Sequence, residues 1–336
     1  MNDDRILLAH GSGGRLTHDL IRQVFLPRFR SEALGKLADS AVLDSPGSRL
    51  AFTTDSYVVK PLFFPGGDIG KLSVCGTVND LSVVGAAPRC LSCGFIIEEG
   101  FALPLLERIA DSIRAAAAEA GVEVVTGDTK VVEKGGADGL FINTAGIGVV
   151  PPSVDLSADR IRPGDRVLIN GGIGEHGLAV LVQREGLRFQ SEIRSDCAPL
   201  HRLAADILRA SPGVRFMRDP TRGGLATTLN EAAGGREWGI LIDEEAVPVC
   251  DAVRGLCEIL GLDPLYVANE GKLVAVAAAA EADRVLAAMR ANPLGAGSRI
   301  IGEVVEKPRG RVVVRSAIGG LRVADMLTGE PLPRIC

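Results

Sequence analysis

No apolar run in the chain is long enough to cross a bilayer. The longest, such as LVAVAAAA (273–280), fall far short of the roughly 20 residues a spanning helix needs. The opening MNDDRILLAHG is acidic and lacks the apolar centre of a signal peptide, so neither membrane insertion nor secretion is expected. Positive charge is not in excess either. With 37 Lys and Arg against 42 Asp and Glu, the net charge of −5 offers no general attraction to nucleic acid or an anionic membrane. Any anionic ligand must be held by local cations or by a metal. Aromatics are few, at 4%, whereas 41 glycines indicate many turns and closely approached backbone. The histidines His10, His18, His176 and His201 lie in no metal-ligand spacing. The seven cysteines form no disulfide framework in a chain large enough to need none, so a reducing, cytoplasmic setting is expected. Cys90 and Cys93 make a CxxC, but the second pair or histidine cluster of a zinc site is missing. In PRCLSCGFIIEE they alternate as in a strand, and buried structural thiols are the better reading.

What is present is a chain of 336 residues, 46% hydrophobic and 24% charged, enough for about two soluble domains. Helical spacing runs through Leu16, Leu20, Val24 and Phe25 after a Gly-rich opening. RLAFTTDSYVV (49–59) predicts a strand, residues 68–88 a helix with Pro88 beyond its end, and CLSCGFIIEE a strand. LPLLERIADSIRAAAAEAG predicts a helix stopped by Gly121, VEVVTGDTK a strand ending on Asp128, and LFINTAGIGVV (140–150) another strand. PPSVDLSADRIRPGD (151–165), with three prolines and little apolar pattern, is the expected linker. Beyond it, strand RVLINGG precedes helices in HGLAVLVQREG and PLHRLAADILRAS. Strand VRFM runs into RDPTRGG and a helix to about 233, GILID is a strand, and Pro248 opens a helix ending near Gly261. KLVAVAA, EADRVLAAMRAN, RIIGEVVE and RVVVR predict a strand-helix-strand-strand ending. Helices and strands mixed in this way predict two-layer α/β packing.

Four acids stand out by context. Asp55, Asp128 and Asp219 follow apolar strands, and Asp80 interrupts an otherwise apolar helix beside Asn79. Carboxylates gathered at element ends suit Mg²⁺, which takes oxygen ligands and binds nucleotide phosphates jointly with them. Singly, each Asp would be read as a turn or helix cap. HGSGGR (10–15) precedes a predicted helix, so Gly11, Ser12, Gly13 and Gly14 could offer free amides to phosphate, with His10 as a nucleotide contact. GGDIGKLS (66–73) nearly matches a P-loop, but its first glycine is misplaced and Leu72 stands where the hydroxyl residue belongs. In ANEGKLV (268–274), Glu270 is a candidate proton acceptor or a solvated turn residue. Lys130, in GDTK, could contact phosphate or a thiol, or could simply lie over the strand end.

The sequence closes on GEPLPRIC. Cys336 follows a Pro-stiffened arm of six residues that can extend about 19 Å at roughly 3.1 Å per residue. An exposed thiol is a liability unless the tail exists to present it. Arg334 opposes the rise that the adjoining carboxylate causes in the thiol pKa. No prenylation signal is present, since three residues would have to follow the cysteine.

Taken in order, these stretches resemble the HypE family of hydrogenase maturation factors. The resemblance is carried by GSGGR, TTDSYVVKPLFFPGGDIGKLSVCGTVNDLSVVGAAPR, LSCGFIIEEG, VVTGDTKVV, LFINTAGIG, RDPTRGGLATTLNEAA, LYVANEGKLV, IGEVVE and PRIC. It implies the two-domain fold of aminoimidazole ribonucleotide synthetase and selenophosphate synthetase: an N-terminal α/β sheet domain that pairs with a second subunit, and a C-terminal α+β domain with a flexible tail. The division then reads 1–36 nucleotide-closing segment and helix, 37–150 ATP-binding and dimerisation domain, 151–165 linker, 166–320 C-terminal domain, and 321–336 mobile tail. The activity implied is ATP-dependent dehydration of a carbamoyl group on the Cys336 thiol to S-cyanate, which supplies cyanide ligands for the nickel-iron hydrogenase centre. HypF would donate the carbamoyl group and HypC–HypD would accept the cyanide. The resemblance further implies that Asp55, Asp80, Asp128 and Asp219 hold Mg²⁺ and the triphosphate. Gly11, Ser12, Gly13, Gly14, Asn79, Thr129, Thr221 and Arg222 would assist nucleotide binding, with Glu270 as base and Lys130 at the thiolate or phosphorylated oxygen. Two rivals remain: a phosphotransferase of the same superfamily acting on a free small molecule, and a docking scaffold without turnover.

Overall fold

A computed structural model describes residues 14–29, 35–45, 47–186, 193–327, 329, 332 and 334–336. Helix α1 (Arg15–Leu20) passes through a π-turn (Ile21–Phe25) into the short α2 (Leu26–Phe29). Gly14 is needed at its start. The Arg15 amide donates to the Leu327 carbonyl at 2.9 Å, and a Cβ on Gly14 would lie 2.2 Å from that oxygen.

The N-terminal sheet has the order β1-β2-β7-β5-β6, from β1 (Ala41–Ser45), β2 (Ser48–Tyr57), β5 (Ala87–Glu98), β6 (Glu123–Val132) and β7 (Leu140–Val150). Its neighbours are antiparallel except for β5 and β6. A small hairpin, β3 (Phe63–Phe64) with β4 (Gly67–Asp68), leads into α3 (Ile69–Val83). The Asp68 carboxylate caps α3 by accepting from the amides of Gly70 and Lys71 at 2.8 and 3.1 Å. Almost all of α3 is buried, because the sheet covers one side and the C-terminal domain the other. Its Gly76 lets Tyr57 approach, since a Cβ there would lie 2.3 Å from the phenol oxygen. Helix α4 (Leu103–Ala120) buries Ile109, Ile113, Ala116, Ala117 and Ala120 along one stripe and ends on Gly121 in the left-handed region.

The C-terminal sheet is mixed, in the order β14-β13-β10-β12-β8-β11-β9. Its strands are β8 (Arg166–Ile169), β9 (Val214–Arg218), β10 (Gly239–Asp243), β11 (Val274–Ala277), β12 (Arg299–Val305), β13 (Val312–Arg315) and β14 (Leu321–Val323). Helices α5 (Glu175–Glu185), α6 (His201–Ala210), α7 (Gly224–Ala233), α8 (Asp251–Leu260) and α9 (Ala282–Ala291) complete the domain. The two domains share a core, in which Tyr57, Ile69, Leu72 and Leu140 pack with Leu178, Val253, Leu256 and Val267.

Several boundaries differ from the sequence-based expectation. Strand β6 does not end on Asp128 but runs on to Val132, because its pairing with β5 continues through Ile97 and Glu98. Helix α8 starts at Asp251, so Pro248 precedes it rather than opening it. Residues 321–323 pair with β13 and extend the sheet into the stretch expected to be tail. Within 151–165, Ile161 is fully buried and packs with Val167 and Ile301, so the stretch is anchored to the second domain.

Candidate active site

A polar pocket of about 390 Å³ lies where the domains meet, and its walls include Asp39, Asp80, Arg218, Asp219, Thr221, Arg222 and Glu231. Asp80 reaches it from the last turns of α3, and Asp219 from the end of β9. The loop after Asp219 is fixed by Asn269, whose side-chain amide donates to the Pro220 carbonyl at 2.8 Å. Asn269 Oδ1 in turn accepts from the Gly174 amide at 2.8 Å. Thr53 donates to Asp80 Oδ2 at 2.7 Å, and Ser40 donates to the Asp80 carbonyl at 3.0 Å. Arg218 bridges Asp39 and Glu231 at 2.9 and 3.1 Å, and His18 of α1 contacts Glu231 at 2.7 Å.

The acids raise one another's pKa. Burial, then the charges of Asp219, Asp55 and Asp39, lift Asp80 well above the carboxylate range. Burial, then Asp39, push Asp219 up to about 8. Asp55 and Asp39 are raised by burial against the pull of Arg222 and Arg218 respectively. Such a surplus of oxygen donors, short of cations, fits a hard divalent ion. Among the described residues no three acid, histidine or cysteine side chains converge to coordinating distance, so the acids face a common space and not a preformed cage.

Not every expected residue joins them. Asp128, Thr129 and Lys130 lie on the edge strand β6, exposed to solvent. Asp128 and Lys130 meet only loosely at 3.5 Å with both side chains 71% exposed. In register, Asp55 pairs with Thr144 on β7, Thr144 with Cys93 on β5, and Cys93 with Gly127 on β6. Asp128 is thus three strands from Asp55, roughly 14 Å at about 4.8 Å per strand. One chain does not assemble the expected four-acid set. Asn79, expected to bind nucleotide, joins the domains. Its amide nitrogen donates to the carbonyls of Ala198 (3.1 Å) and Glu270 (3.3 Å), and its oxygen accepts from the Leu200 amide at 2.7 Å. Replacing it with alanine would leave buried backbone groups unpaired, and Asn79→Ala is expected to lower stability by about 2–3 kcal/mol in urea unfolding. Gly14 meets Leu327 rather than the pocket. His10, Gly11, Ser12 and Gly13 lie outside the described residues.

Glu270 is 4% exposed, and its carboxylate accepts no hydrogen bond from the described residues. Burial, followed by Cys197 and the charges of Asp219, Asp55 and Asp196, raises it well above the usual range. Its backbone is held by Asp196, which accepts from the amides of Glu270 and Gly271 at 3.1 and 3.0 Å and pairs with Lys272 at 3.1 Å.

The described tail residues are seated, not extended. Leu332, Ile335 and Cys336 are buried in the shared core with Tyr57 and Val59. The Val58 amide donates to the Cys336 carbonyl at 3.4 Å, and the Lys60 amide to the Arg334 carbonyl at 3.1 Å. Tyr57 connects the two regions: its ring packs in the cluster that holds Cys336, and its hydroxyl is raised by burial and by Asp55, Asp80 and Glu270. A larger cavity, about 700 Å³ between the ends of α3 and α4 and the flank of α6, contains none of the candidate residues. Sequence reasoning passed over Asp39, Arg218, Glu231 and Asn269. Only Arg218, which closes an apolar strand just before Asp219, carried a usable signal.

Comparison with known proteins gives two family matches: AIR synthase related protein, N-terminal domain, over residues 37–150, and AIR synthase related protein, C-terminal domain, over residues 162–315. A carbamoyl dehydratase HypE from Cupriavidus necator is 56% identical over 333 residues, covering 99% of this chain and 95% of that protein. A crystal structure of hydrogenase maturation protein HypE in complex with ATP is 50% identical, with a TM-score of 0.83, covering 99% of this chain and all of that one. A chain from a HypE–HypF complex is 46% identical, with a TM-score of 0.88, covering 92% of this chain and 99% of its own.

Proposed function

Since this chain belongs to the HypE family, built on the two AIR synthase related domains, we propose that it is an ATP-dependent carbamoyl dehydratase whose carrier is the Cys336 thiol. The observation that carries this reading is the seat of the tail. The Cys336 carbonyl is bound at Val58, three residues along the chain from Asp55, so the thiol-bearing residue is tied to the end of the strand that carries one of the acids. An amide-type oxygen leaves only once phosphorylated, which explains why a thiol arm and a phosphate site occur together.

The carbamoyl group arrives as a thioester on Cys336 from a HypF-type carbamoyltransferase, consistent with the similar chain bound to HypF. Its oxygen attacks the γ-phosphorus of ATP, ADP leaves, and one N–H proton is lost. The second N–H proton departs as phosphate is expelled, leaving Cys336–S–C≡N. The cyano group then passes to HypC–HypD. Asp55, Asp80 and Asp219 are the residues that would hold Mg²⁺, which when bound neutralises phosphate charge. Thr221 and Arg222 orient the phosphates, and α1 closes the rim through His18 and Glu231. Glu270 removes the N–H protons. Its raised pKa makes the ionised form a stronger base than an exposed carboxylate, so the rate should climb with pH as Glu270 ionises. Asp128, Thr129 and Lys130 would serve a second copy. The exposed edge strand that carries them, with Val125 and Val131, would be covered in such a homodimer.

Intact-mass analysis tests the reading. Incubation with the carbamoyl donor should add one carbamoyl group, and ATP should then remove one water. Glu270→Gln should keep the first step, slow the second about 100-fold, and flatten its rise with pH. Full dehydration activity in both Glu270→Gln and Lys130→Ala would end the roles given to these two residues.

A further inference from the structure

His176, the second residue of α5, is fully buried, and the reaction as described does not use it. Its Nε2 lies 2.6 Å from the Ile335 carbonyl oxygen, one residue before Cys336. A carbonyl can only accept, so Nε2 carries the proton. Nδ1 then accepts, at 2.8 Å, from the Ser195 hydroxyl, which itself accepts from the Cys197 amide at 3.1 Å. The Ser195 amide donates to the Pro65 carbonyl at 2.7 Å. Phe64 meets the imidazole edge-on at 5.4 Å between centroids. Gly66, in the left-handed region at φ +94°, leaves Ser195 its place, since a Cβ there would sit 2.6 Å from the Ser195 carbonyl oxygen. The tautomer, the plane and the depth of this ring are therefore fixed by neighbours from the hairpin and from the segment before α6.

Around it the tail is gripped by backbone. Arg184 donates to the carbonyls of Arg334 and Lys60 at 2.6 and 2.7 Å. Arg334 donates to the Val58 carbonyl at 3.0 Å and pairs with Asp138, while its own φ of +56° turns the chain inward. Beyond residue 334 the Val58 amide donates to the Cys336 carbonyl at 3.4 Å, and among the described side chains His176 is the one that bonds to Ile335.

We propose that His176 is a positioning residue for the tail: by binding the Ile335 carbonyl it fixes the Cys336 thiol in the dehydration site, and its release frees the tail for the carbamoyl donor. The catalytic half of this statement rests on the function proposed above; the docking half does not. Burial lowers the His176 pKa, which keeps the ring neutral and the single-donor arrangement intact.

Alkylation with iodoacetamide, read by mass on each cysteine peptide of the full chain, tests it. His176→Ala should alkylate Cys336 about tenfold faster than wild type, the worth of one buried hydrogen bond. The exposed Cys250 and the buried Cys75, Cys197 and Cys257 should be unchanged. His176→Gln, whose amide still offers an N–H at similar reach, should restore slow alkylation. In single-turnover assays, His176→Ala should slow dehydration of carbamoylated protein in proportion and speed transfer from the donor to the freed thiol. Should the alanine variant not fold, Ser195→Ala removes the group that orients the ring and should raise Cys336 alkylation a few-fold. An unchanged Cys336 rate, or an equal increase at Cys75 and Cys197, would overturn the proposal. If wild type itself fails to dehydrate, the proposed function falls, yet the alkylation series still decides whether His176 seats the tail.

Discussion

Cys336→Ser should abolish both the carbamoyl adduct and cyanide formation while leaving the fold intact. A free thiol has a pKa of about 8.5 and supplies a thiolate near neutral pH, whereas a serine hydroxyl supplies no comparable nucleophile. The substitution changes little else. Residue 336 is held through its carbonyl by the Val58 amide, and Leu332 and Ile335 share with it the apolar packing of the tail. Unfolding should therefore shift by less than about 1 kcal/mol. The measurement is intact mass after incubation with the carbamoyl donor, followed by mapping of any modified peptide. Cys250 is the informative control, because it is the exposed cysteine. An adduct that persists at Cys250 in the serine variant would place the carrier elsewhere in the chain.

Asp219→Asn should show the opposite pattern, a more stable protein with little turnover. Asp219 is pushed from 3.8 up to about 8, chiefly by burial and then by Asp39. Below about pH 4 the folded and unfolded chains both hold the proton, and the acid costs nothing. From there to about pH 8 the unfolded chain ionises and the folded one does not, so the contribution of this group falls steadily. The folded state binds more protons, and stability drops as pH rises. The full penalty is on the order of 5 kcal/mol, at about 1.4 kcal/mol per pKa unit, and it is shared with the acids around it. Asparagine removes it, so the stabilising effect should be absent near pH 4 and grow to a few kcal/mol above pH 8. ATP-dependent dehydration should fall on the order of 10³-fold if Asp219 is, as proposed, an anionic ligand for the ion that neutralises the triphosphate. Urea unfolding across pH, beside single-turnover dehydration, checks both halves. A gain that does not depend on pH would show that charge is not the cause.

The fold was largely open to reading because its helices and strands keep their periods. The α4 stripe ending on Gly121 and the alternation in β7 are examples. Asp219 was legible as well, since it follows the apolar strand VRFM at a turn. Asp128 was misplaced for a physical reason. On an edge strand exposed on both faces, TGDTKVV has no apolar alternation to show that pairing continues. Asp39 lies in a polar stretch without any period, and its partnership with Arg218 spans the two domains, so no local pattern reveals it. Asn79 was noticed as the neighbour of Asp80, the acid that interrupts an apolar helix. The task of Asn79 depends on backbone groups 119 to 191 residues away.

Asn79 and Asp80 are neighbours on one turn of α3, and this pairing limits how substrate can enter. The first is riveted to the backbone of the other domain, so the second cannot swing away from Asp219 as a jaw would. In the function proposed, ATP would then enter at the margin, where His18 of α1 rests on Glu231, and not by a parting of the two halves.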